Sequence, residues 1–285
     1  MKRRFRCELL ILALMTALVA WPQDRPRPQE KTAVVFGQNI RYFEVGQGPA
    51  VILLHGLGAS KEAWMGTFGA LAGAYHVYAV DEIGFGHSDK PLLDYRIATF
   101  VDFLYEFLQT QHVGKATLVG HSFGGWVALD FAIQHPSALE KLVLVDSAGL
   151  AWERPLSSLP DLNPSSLAAT RALLEACFYD KKLLSDDDFL QVFSQKMRSN
   201  DGYTVQRTVA GFATPQFEDA KLDSIHVPTL VMWGRQDELA GLATGEKLRD
   251  GIRGAKLVVF DKCGHIPLIE KAADFNRALL EFLGK

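Results

Sequence analysis

Short apolar runs alternate along the chain with longer stretches in which apolar residues recur at helical spacing. The runs predict strands at residues 32–36, 40–45, 50–54, 77–80, 116–119, 142–145, 229–233 and 257–260. The longer stretches predict helices at residues 99–111, 123–135, 241–249 and 272–283. The runs show little alternation with polar residues, as in strands that are covered on both faces. The pattern therefore predicts an α/β fold, a mostly parallel sheet with flanking helices, opened by a hairpin at Gly37.

One long interval interrupts this alternation. Between residues 149 and 215 no strand-like run occurs, and the apolar residues at helical spacing include Leu167, Leu173, Leu174, Phe178, Phe189, Leu190 and Phe193. The interval is too long for a loop within a compact domain. We predict a helical cap at residues 149–215 over the carboxyl edge of the sheet, inserted between core segments at residues 32–148 and 216–285. The inner face of such a cap is expected to line an apolar pocket.

The start of the chain has the pattern of a targeting segment. It opens with four basic residues, Lys2, Arg3, Arg4 and Arg6. An apolar run follows at residues 9–21; as a helix it would span about 20 Å, less than the roughly 30 Å of a bilayer's hydrocarbon core. We predict a signal peptide at residues 1–20 and a linker at residues 21–31, hence a secreted or periplasmic protein. An uncleaved N-terminal anchor, which would be its only membrane contact, stays open as the alternative.

Composition narrows the class of protein. Hydrophobic residues make up 48% of the 285 positions and charged residues 22%, the balance of a folded domain. The formal net charge of −3 gives no electrostatic basis for binding nucleic acid. Of the three cysteines, Cys177 and Cys263 lie beyond the leader, and we do not expect them to pair. No cluster has metal-ligand spacing, so neither a metal nor another cofactor is expected.

The candidate nucleophile is Ser122. Residues 120–125 read Gly-His-Ser-Phe-Gly-Gly and lie between a predicted strand and a predicted helix. This is the G-x-S-x-G elbow in its usual context, where a sharp turn holds the serine hydroxyl away from the chain. A serine hydroxyl needs a base within hydrogen-bond reach to act as a nucleophile. The sequence therefore predicts a partner histidine at the same edge of the sheet.

His265 and Asp237 are the predicted partners of Ser122. His265 follows the last predicted strand, and Asp237 follows the strand before it, so the chain order is serine, aspartate, histidine. Asp146 also follows a predicted strand and is the rival for the acid role, although contact with the cap hinge is its favoured interpretation. His121, inside the elbow, is expected to point away from the site.

Backbone N–H groups are needed to hold the negative charge that develops during acyl transfer. Phe123, directly after the nucleophile, is expected to supply one of them at the start of its helix. Leu57, in the loop His55-Gly56-Leu57-Gly58 after the third predicted strand, is expected to supply the other.

These segments together resemble the α/β-hydrolase fold superfamily, in its esterase- and lipase-like serine branch, over about residues 32–284. The loop at residues 55–58 is similar to the oxyanion loop of that family, and residues 81–89 are similar to its D-x-x-G-x-G-x-S turn, in which Asp81 has a structural role. A serine at the elbow, where dehalogenases and epoxide hydrolases of the family use an aspartate, implies acyl transfer. The resemblance implies hydrolysis of small or medium apolar carboxylic esters through an acyl-enzyme on Ser122, with a small-molecule ester as the partner.

Two alternatives stay open. Residues 263–270, Cys-Gly-His-Ile-Pro-Leu-Ile-Glu, also resemble the carbon–carbon hydrolases that act on products of aromatic meta-cleavage. The chain departs from their pattern at Ile266, where a tryptophan is common, and at His121, where an asparagine is expected. The other alternative is a non-catalytic ligand-binding protein on the same scaffold.

Overall fold

The computed structural model describes residues 27–151, 155–212 and 219–284. Its strands, in chain order, are β1 Gln29–Val35, β2 Gln38–Val45, β3 Ala50–Leu54, β4 His76–Val80, β5 Ala116–His121, β6 Leu139–Val145, β7 Thr229–Gly234 and β8 Lys256–Phe260. The predicted signal peptide, residues 1–20, and residues 21–26 of the predicted linker lie outside the described residues and stay predictions. The predicted end of the linker is wrong, because residues 29–31 belong to β1 and pair with residues 42–44 of β2. In the parts that are described, every helix is too short or too polar to traverse a lipid bilayer.

Nine α-helices accompany the strands in the described ranges. They are α1 Met65–Leu71, α2 Ile97–Thr110, α3 Phe123–Gln134, α4 Leu167–Cys177, α5 Asp186–Ser199, α6 Gly202–Phe212, α7 Leu242–Gly251, α8 Pro267–Glu270 and α9 Ala272–Leu283. Single 3₁₀ turns occur at Lys61–Trp64, Pro136–Ala138, Leu156–Ser158, Lys181–Leu183 and Asp219–Ser224. Sequence analysis missed α1, because glycines at two of its seven positions weaken the helical signal.

The strands form one sheet in the order β1-β2-β4-β3-β5-β6-β7-β8. β1 pairs with β2 and β2 with β4 in antiparallel fashion, and every other pair is parallel. The predicted hairpin and mostly parallel sheet are therefore confirmed. The register aligns the last residues of neighbouring strands, so the loops that follow β3, β5, β6, β7 and β8 emerge side by side at one edge.

Both faces of the sheet are covered, which explains the lack of polar alternation. Ile52 and Leu54 of β3 pack with Leu118 on the face that α2 and α3 cover. Val51 and Leu53 of the same strand point to the opposite face, which α1 and α9 cover. Because successive side chains of a strand alternate between faces, a strand buried on both sides must be apolar at every position.

Three helices, α4 to α6, lie between β6 and β7, over the edge where these loops emerge. Ser185 and Asp188 form a reciprocal capping box that begins α5, and Asn200 ends this helix in the left-handed conformation. These local polar signals fix where α5 begins and ends. Residues 152–154 and 213–215 of this predicted cap lie outside the described residues, and its boundaries stay predictions.

Candidate active site

The backbone at Ser122 makes a sharp turn between β5 and α3. Its φ of 53° and ψ of −114° lie in a region of backbone conformation that residues other than glycine rarely adopt. The N–H of Ser122 donates to the carbonyl of Val145 at 2.9 Å, and its carbonyl accepts from Ala148 at 3.0 Å. These bonds to the segment at the end of β6 hold the strained turn and leave the serine half-buried at the edge of the sheet.

Glycines on either side of Ser122 are required by close backbone approach. A Cβ atom at Gly120 would lie 2.3 Å from the carbonyl oxygen of Gly124. A Cβ atom at Gly124 would lie 2.6 Å from the carbonyl oxygens of Leu54 and His55. Backbone atoms cannot move aside as a flexible side chain can, so a Cβ atom at either position would clash. Glycine at both positions therefore allows α3 to begin directly against β5 and against the loop after β3 at residues 55–58, called the β3 loop below.

Three side chains from three strand ends meet at this edge. His265 Nε2 lies 2.9 Å from Ser122 Oγ, and His265 Nδ1 lies 2.7 Å from Asp237 Oδ2. An ionised carboxylate only accepts hydrogen bonds, so Nδ1 carries the hydrogen and Nε2 is free to accept from the serine hydroxyl. The structure thus brings together the predicted Ser122, His265 and Asp237, which we call the serine–histidine–aspartate array.

Burial strengthens the hydrogen bonds of this array. The side chains of His265 and Asp237 are 7% and 0% exposed, so little water competes for their contacts. Asp237 Oδ1 also accepts the N–H groups of Leu239 and Ala240 at 2.8 and 3.0 Å. These backbone donors fix the carboxylate, and the carboxylate in turn fixes the orientation and tautomer of the imidazole. Such an arrangement can remove a proton from Ser122 and return one to a leaving group.

Glu270 ties the loop that carries His265 to the cap. Its Oε1 accepts the N–H of Gly264 at 2.7 Å, and its Oε2 accepts the N–H groups of Tyr179 and Asp180 at 2.9 and 3.2 Å. The N–H of His265 itself donates to the carbonyl of the last residue of α4. Sequence analysis gave Glu270 no role, because its partners are backbone donors that any residue type would supply.

The β3 loop lies directly against the elbow, as the oxyanion prediction requires. The N–H of Gly124 donates to the carbonyl of His55 at 3.1 Å, and a Cβ atom at Gly56 would lie 3.4 Å from the Cβ atom of Ser122. Leu57 follows Gly56 in this loop, and Phe123 is the first residue of α3, whose N–H has no partner within the helix. Both predicted donors are therefore next to Ser122 in space or sequence.

His121 does not point away from the site, contrary to the expectation from its place in the elbow. Its Nε2 donates to the carbonyl oxygen of His265 at 2.8 Å, and the two rings are 5.1 Å apart. Burial, followed by the nearby His265, lowers the pKa of His121 to about 3, so this imidazole is neutral. A neutral histidine therefore supports the backbone of His265 from within the elbow.

Asp81 has a structural environment, as the resemblance implied. Its carboxylate accepts the N–H and the Nζ of Lys61 at 2.7 and 2.8 Å, and the N–H of His87 at 2.8 Å. A Cβ atom at Gly86 would lie 2.2 Å from its carboxyl carbon. The residues around Asp81 thus form a closed turn, and its oxygens are occupied by donors from this chain.

Glu82, the next residue, was not singled out from the sequence and lies beneath the β3 loop. Its carboxyl group is buried, neither oxygen has a hydrogen-bond donor in the described ranges, and Oε2 is 3.9 Å from His55 Nδ1. Burial, followed by the charge of Asp81, raises the pKa of Glu82 well above its ordinary value of 4.5. Glu82 is therefore a neutral carboxylic acid next to the predicted oxyanion loop.

Replacement of Glu82 by glutamine is expected to remove a pH-dependent loss of stability. In the folded protein Glu82 keeps a proton that the unfolded chain releases above about pH 4.5. This proton adds fully to the free energy of unfolding below that pH, and its contribution declines as the pH rises toward the raised pKa of Glu82. The Tm of the wild type should therefore fall relative to that of Glu82→Gln as the pH rises above about 4.5 toward the raised pKa of Glu82. Two curves of Tm against pH that run parallel would contradict a neutral Glu82.

Asp146, three residues before the predicted start of the cap, lies beside the array, and its contact with the cap hinge stays a prediction. Its Oδ1 accepts the N–H of Gly234 at 2.9 Å, and polar atoms of Asp146, Asp237 and His265 lie within 4.8 Å of one another. A group of this composition could hold a metal ion. Here, however, the oxygens of Asp237 already accept three N–H groups, which suits a hydrogen-bond network better than a metal site.

The two cysteines of the described residues are both buried free thiols. Burial raises the pKa of the Cys177 and Cys263 thiols, so neither is activated as a nucleophile. The hydroxyl of Ser122, by contrast, lies 2.9 Å from the imidazole nitrogen of His265.

Comparisons with known proteins find related sequences and structures. A family model described as alpha/beta hydrolase fold matches residues 49–272. The chain is 32% identical over 278 residues to a 2-hydroxymuconate semialdehyde hydrolase of Pseudomonas sp. strain CF600, covering 93% of this chain and 96% of the relative. A meta-cleavage product hydrolase structure from Pseudomonas fluorescens IP01 has a TM-score of 0.83 and 28% identity, over 89% of this chain and 97% of that one. The structure of an N-acyl homoserine lactone degrading enzyme gives a TM-score of 0.79 and 26% identity, over 88% and 100%.

Proposed function

Because this chain belongs to the α/β-hydrolase fold family and is a hydrolase, we propose that it cleaves a carbon–carbon bond next to a ketone or aldehyde carbonyl. The proposed substrates are 2-hydroxy-6-oxo-2,4-dienoic acids, the chemical class that includes 2-hydroxymuconate semialdehyde. The observation that carries the proposal is the buried array of Ser122, His265 and Asp237 in a chain similar over nearly its whole length to such a hydrolase.

Before cleavage the 2-hydroxy dienoate tautomerises: its 2-hydroxyl group loses a proton and C5 gains one, which gives the 2,6-dioxo-3-enoate. The array supplies each step that follows. Ser122 attacks the C6 carbonyl of the keto tautomer while His265 accepts the hydroxyl proton, and the N–H groups of Leu57 and Phe123 bind the oxyanion. The bond between C5 and C6 then breaks. Its electron pair is delocalised into the conjugated 2-oxo group of the leaving fragment, and His265 returns the proton to that fragment. A water molecule activated by His265 finally hydrolyses the acyl-enzyme to a carboxylic acid and free Ser122.

Hydrolysis of an apolar carboxylic ester is the second candidate function. The first step is the same, and the electron pair leaves with an alkoxide that His265 protonates. Two residues favour it: His121 and Ile266 stand where the meta-cleavage pattern has asparagine and tryptophan. Ile266, directly after His265, packs against Phe178 and Leu239 at the base of the cap, so the surface there is apolar.

A paired substrate test distinguishes the two functions. Purified protein is assayed with 2-hydroxy-6-oxo-6-phenylhexa-2,4-dienoate and with p-nitrophenyl acetate, butyrate and octanoate. The carbon–carbon proposal expects kcat/KM for the dienoate to exceed that for the best ester by about a hundredfold or more, a difference of about 2.7 kcal/mol in transition-state stabilisation.

The reverse order of kcat/KM would reject the carbon–carbon proposal and select the ester hydrolase. Ser122→Ala serves as the control in both assays, because either reaction begins with the same nucleophile. Binding of the dienoate without turnover of any substrate would instead identify a non-catalytic ligand-binding protein.

A further inference from the structure

Asp146 is a buried carboxyl group that the proposed mechanism does not use. The residue is fully buried, and its φ is 41°. One carboxyl oxygen, Oδ1, accepts the N–H of Gly234 at 2.9 Å. The other, Oδ2, is buried without a hydrogen-bond donor among the residues that the structure describes. Burying an ionised carboxylate oxygen without a hydrogen-bond partner costs free energy, and protonation of the group removes its charge. The protonation state of Asp146 therefore needs an explanation.

The neighbour of Asp146 is the carboxylate of the array. Asp237 accepts two backbone N–H groups at Oδ1 and the imidazole N–H of His265 at Oδ2, the pattern of an ionised acid. The polar atoms of Asp146 and Asp237 lie within 4.8 Å of each other in a buried setting. Two carboxylates at this separation repel strongly, so a single negative charge on the pair is favoured.

Three other titratable groups lie around Asp146 and Asp237. Glu270 adds a further negative charge, and the thiol of Cys263 and the imidazole of His265 also face the pair. Burial first, and then the charge of Asp237, raises the pKa of Asp146 well above its ordinary value of 3.8. Geometry and charge therefore agree that Asp146 holds the proton of the pair.

We propose that Asp146 is a protonated carboxylic acid that donates its O–H to the carboxylate of Asp237 and so positions it toward His265; this rests on the proposed role of the array. The bond gives the buried Oδ2 atom a partner and adds a donor to the carboxylate. Asp146 does not touch the substrate. It is a positioning residue that acts through Asp237 and leaves the array with one negative charge.

Infrared spectroscopy tests the proposal without relying on any activity. The wild type at neutral pH should show the C=O stretch of a buried protonated carboxylic acid that Asp146→Asn lacks. Glu82→Gln is the matched control, since it removes a different buried acid and should remove a separate component of the same band. A spectrum of Asp146→Asn that keeps the full band of the wild type would overturn the proposal.

Kinetics on any substrate that the wild type turns over tests the positioning role. Asparagine tolerates a positive φ, accepts from Gly234 and offers an N–H to Asp237, so Asp146→Asn should keep kcat within about threefold. Asp146→Ala loses the donor and should lose roughly tenfold to a hundredfold in kcat with KM unchanged. An equal loss in both variants would refute a donor role.

A pH profile tests whether Asp146 is ionised. If Asp146 is neutral, Asp146→Asn removes no charge and the acid limb of kcat/KM stays in place. An ionised Asp146 would stabilise the protonated imidazole of His265. In that case Asp146→Asn would shift the acid limb of kcat/KM to lower pH by about one unit or more. If the wild type proves inactive on every substrate, the proposed function fails, while the infrared comparison still decides the state of Asp146.

Discussion

Ser122→Ala is expected to lower kcat/KM by at least about ten-thousand-fold on either substrate class. The Ser122 hydroxyl is the proposed nucleophile, and its Oγ is held 2.9 Å from the imidazole that would take its proton. Removing one member of such an array eliminates the covalent route, and only the oxyanion donors and substrate binding remain to accelerate the reaction. Steady-state kinetics with the dienoate and with p-nitrophenyl butyrate would measure the loss.

The fold should survive this change. Ser122 is half-buried and its backbone is held by Val145 and Ala148, so alanine removes the hydroxyl without removing those bonds. Ser147→Ala is the matched control, because it deletes a nearby buried hydroxyl that donates to the carbonyl of Ala148. That variant should lose about 1 kcal/mol of stability and keep most of its activity. Activity of Ser122→Ala within tenfold of the wild type would show that another group, such as an activated water, attacks the carbonyl.

Sequence analysis could place the array because the fold converts chain order into proximity. Ser122, Asp237 and His265 each follow a strand, and the carboxyl ends of parallel strands share one edge of the sheet. The alternation of apolar runs and helical stretches was enough to predict that sheet. A motif with glycines two positions before and after its serine then predicted which strand end carries the proposed nucleophile.

The contacts that sequence analysis missed are those set by packing between distant segments. Asp146 and Asp237 are 91 positions apart, and their proximity depends on β6 and β7 being neighbours in the sheet. His121 reaches the carbonyl of His265 because the loop after β8 folds back over the elbow. Glu82 stands out only through its burial. Local pattern gives no sign of these relations, since each depends on which strands and loops become neighbours.

Asp237→Asn is expected to lower kcat by about ten-thousand-fold while the protein stays folded. An asparagine oxygen can still accept the N–H groups of Leu239 and Ala240, so the loop should keep its conformation. The amide nitrogen would then face His265 Nδ1 and donate to it. That contact favours the tautomer with its hydrogen on Nε2, which cannot accept the proton of Ser122. Comparing kcat with Tm would separate this chemical effect from unfolding.

The size of that loss also measures whether Asp146 can replace Asp237. In Asp237→Asn the negative neighbour of Asp146 is gone, so Asp146 becomes easier to ionise. Its Oδ1 atom stays bonded to Gly234, however, and its backbone is fixed at a positive φ, which together hold its carboxyl group toward position 237. We therefore expect the double variant Asp146→Asn/Asp237→Asn to be no less active than Asp237→Asn alone. Near-normal turnover by Asp237→Asn, lost in the double variant, would show that Asp146 can take over the acid role.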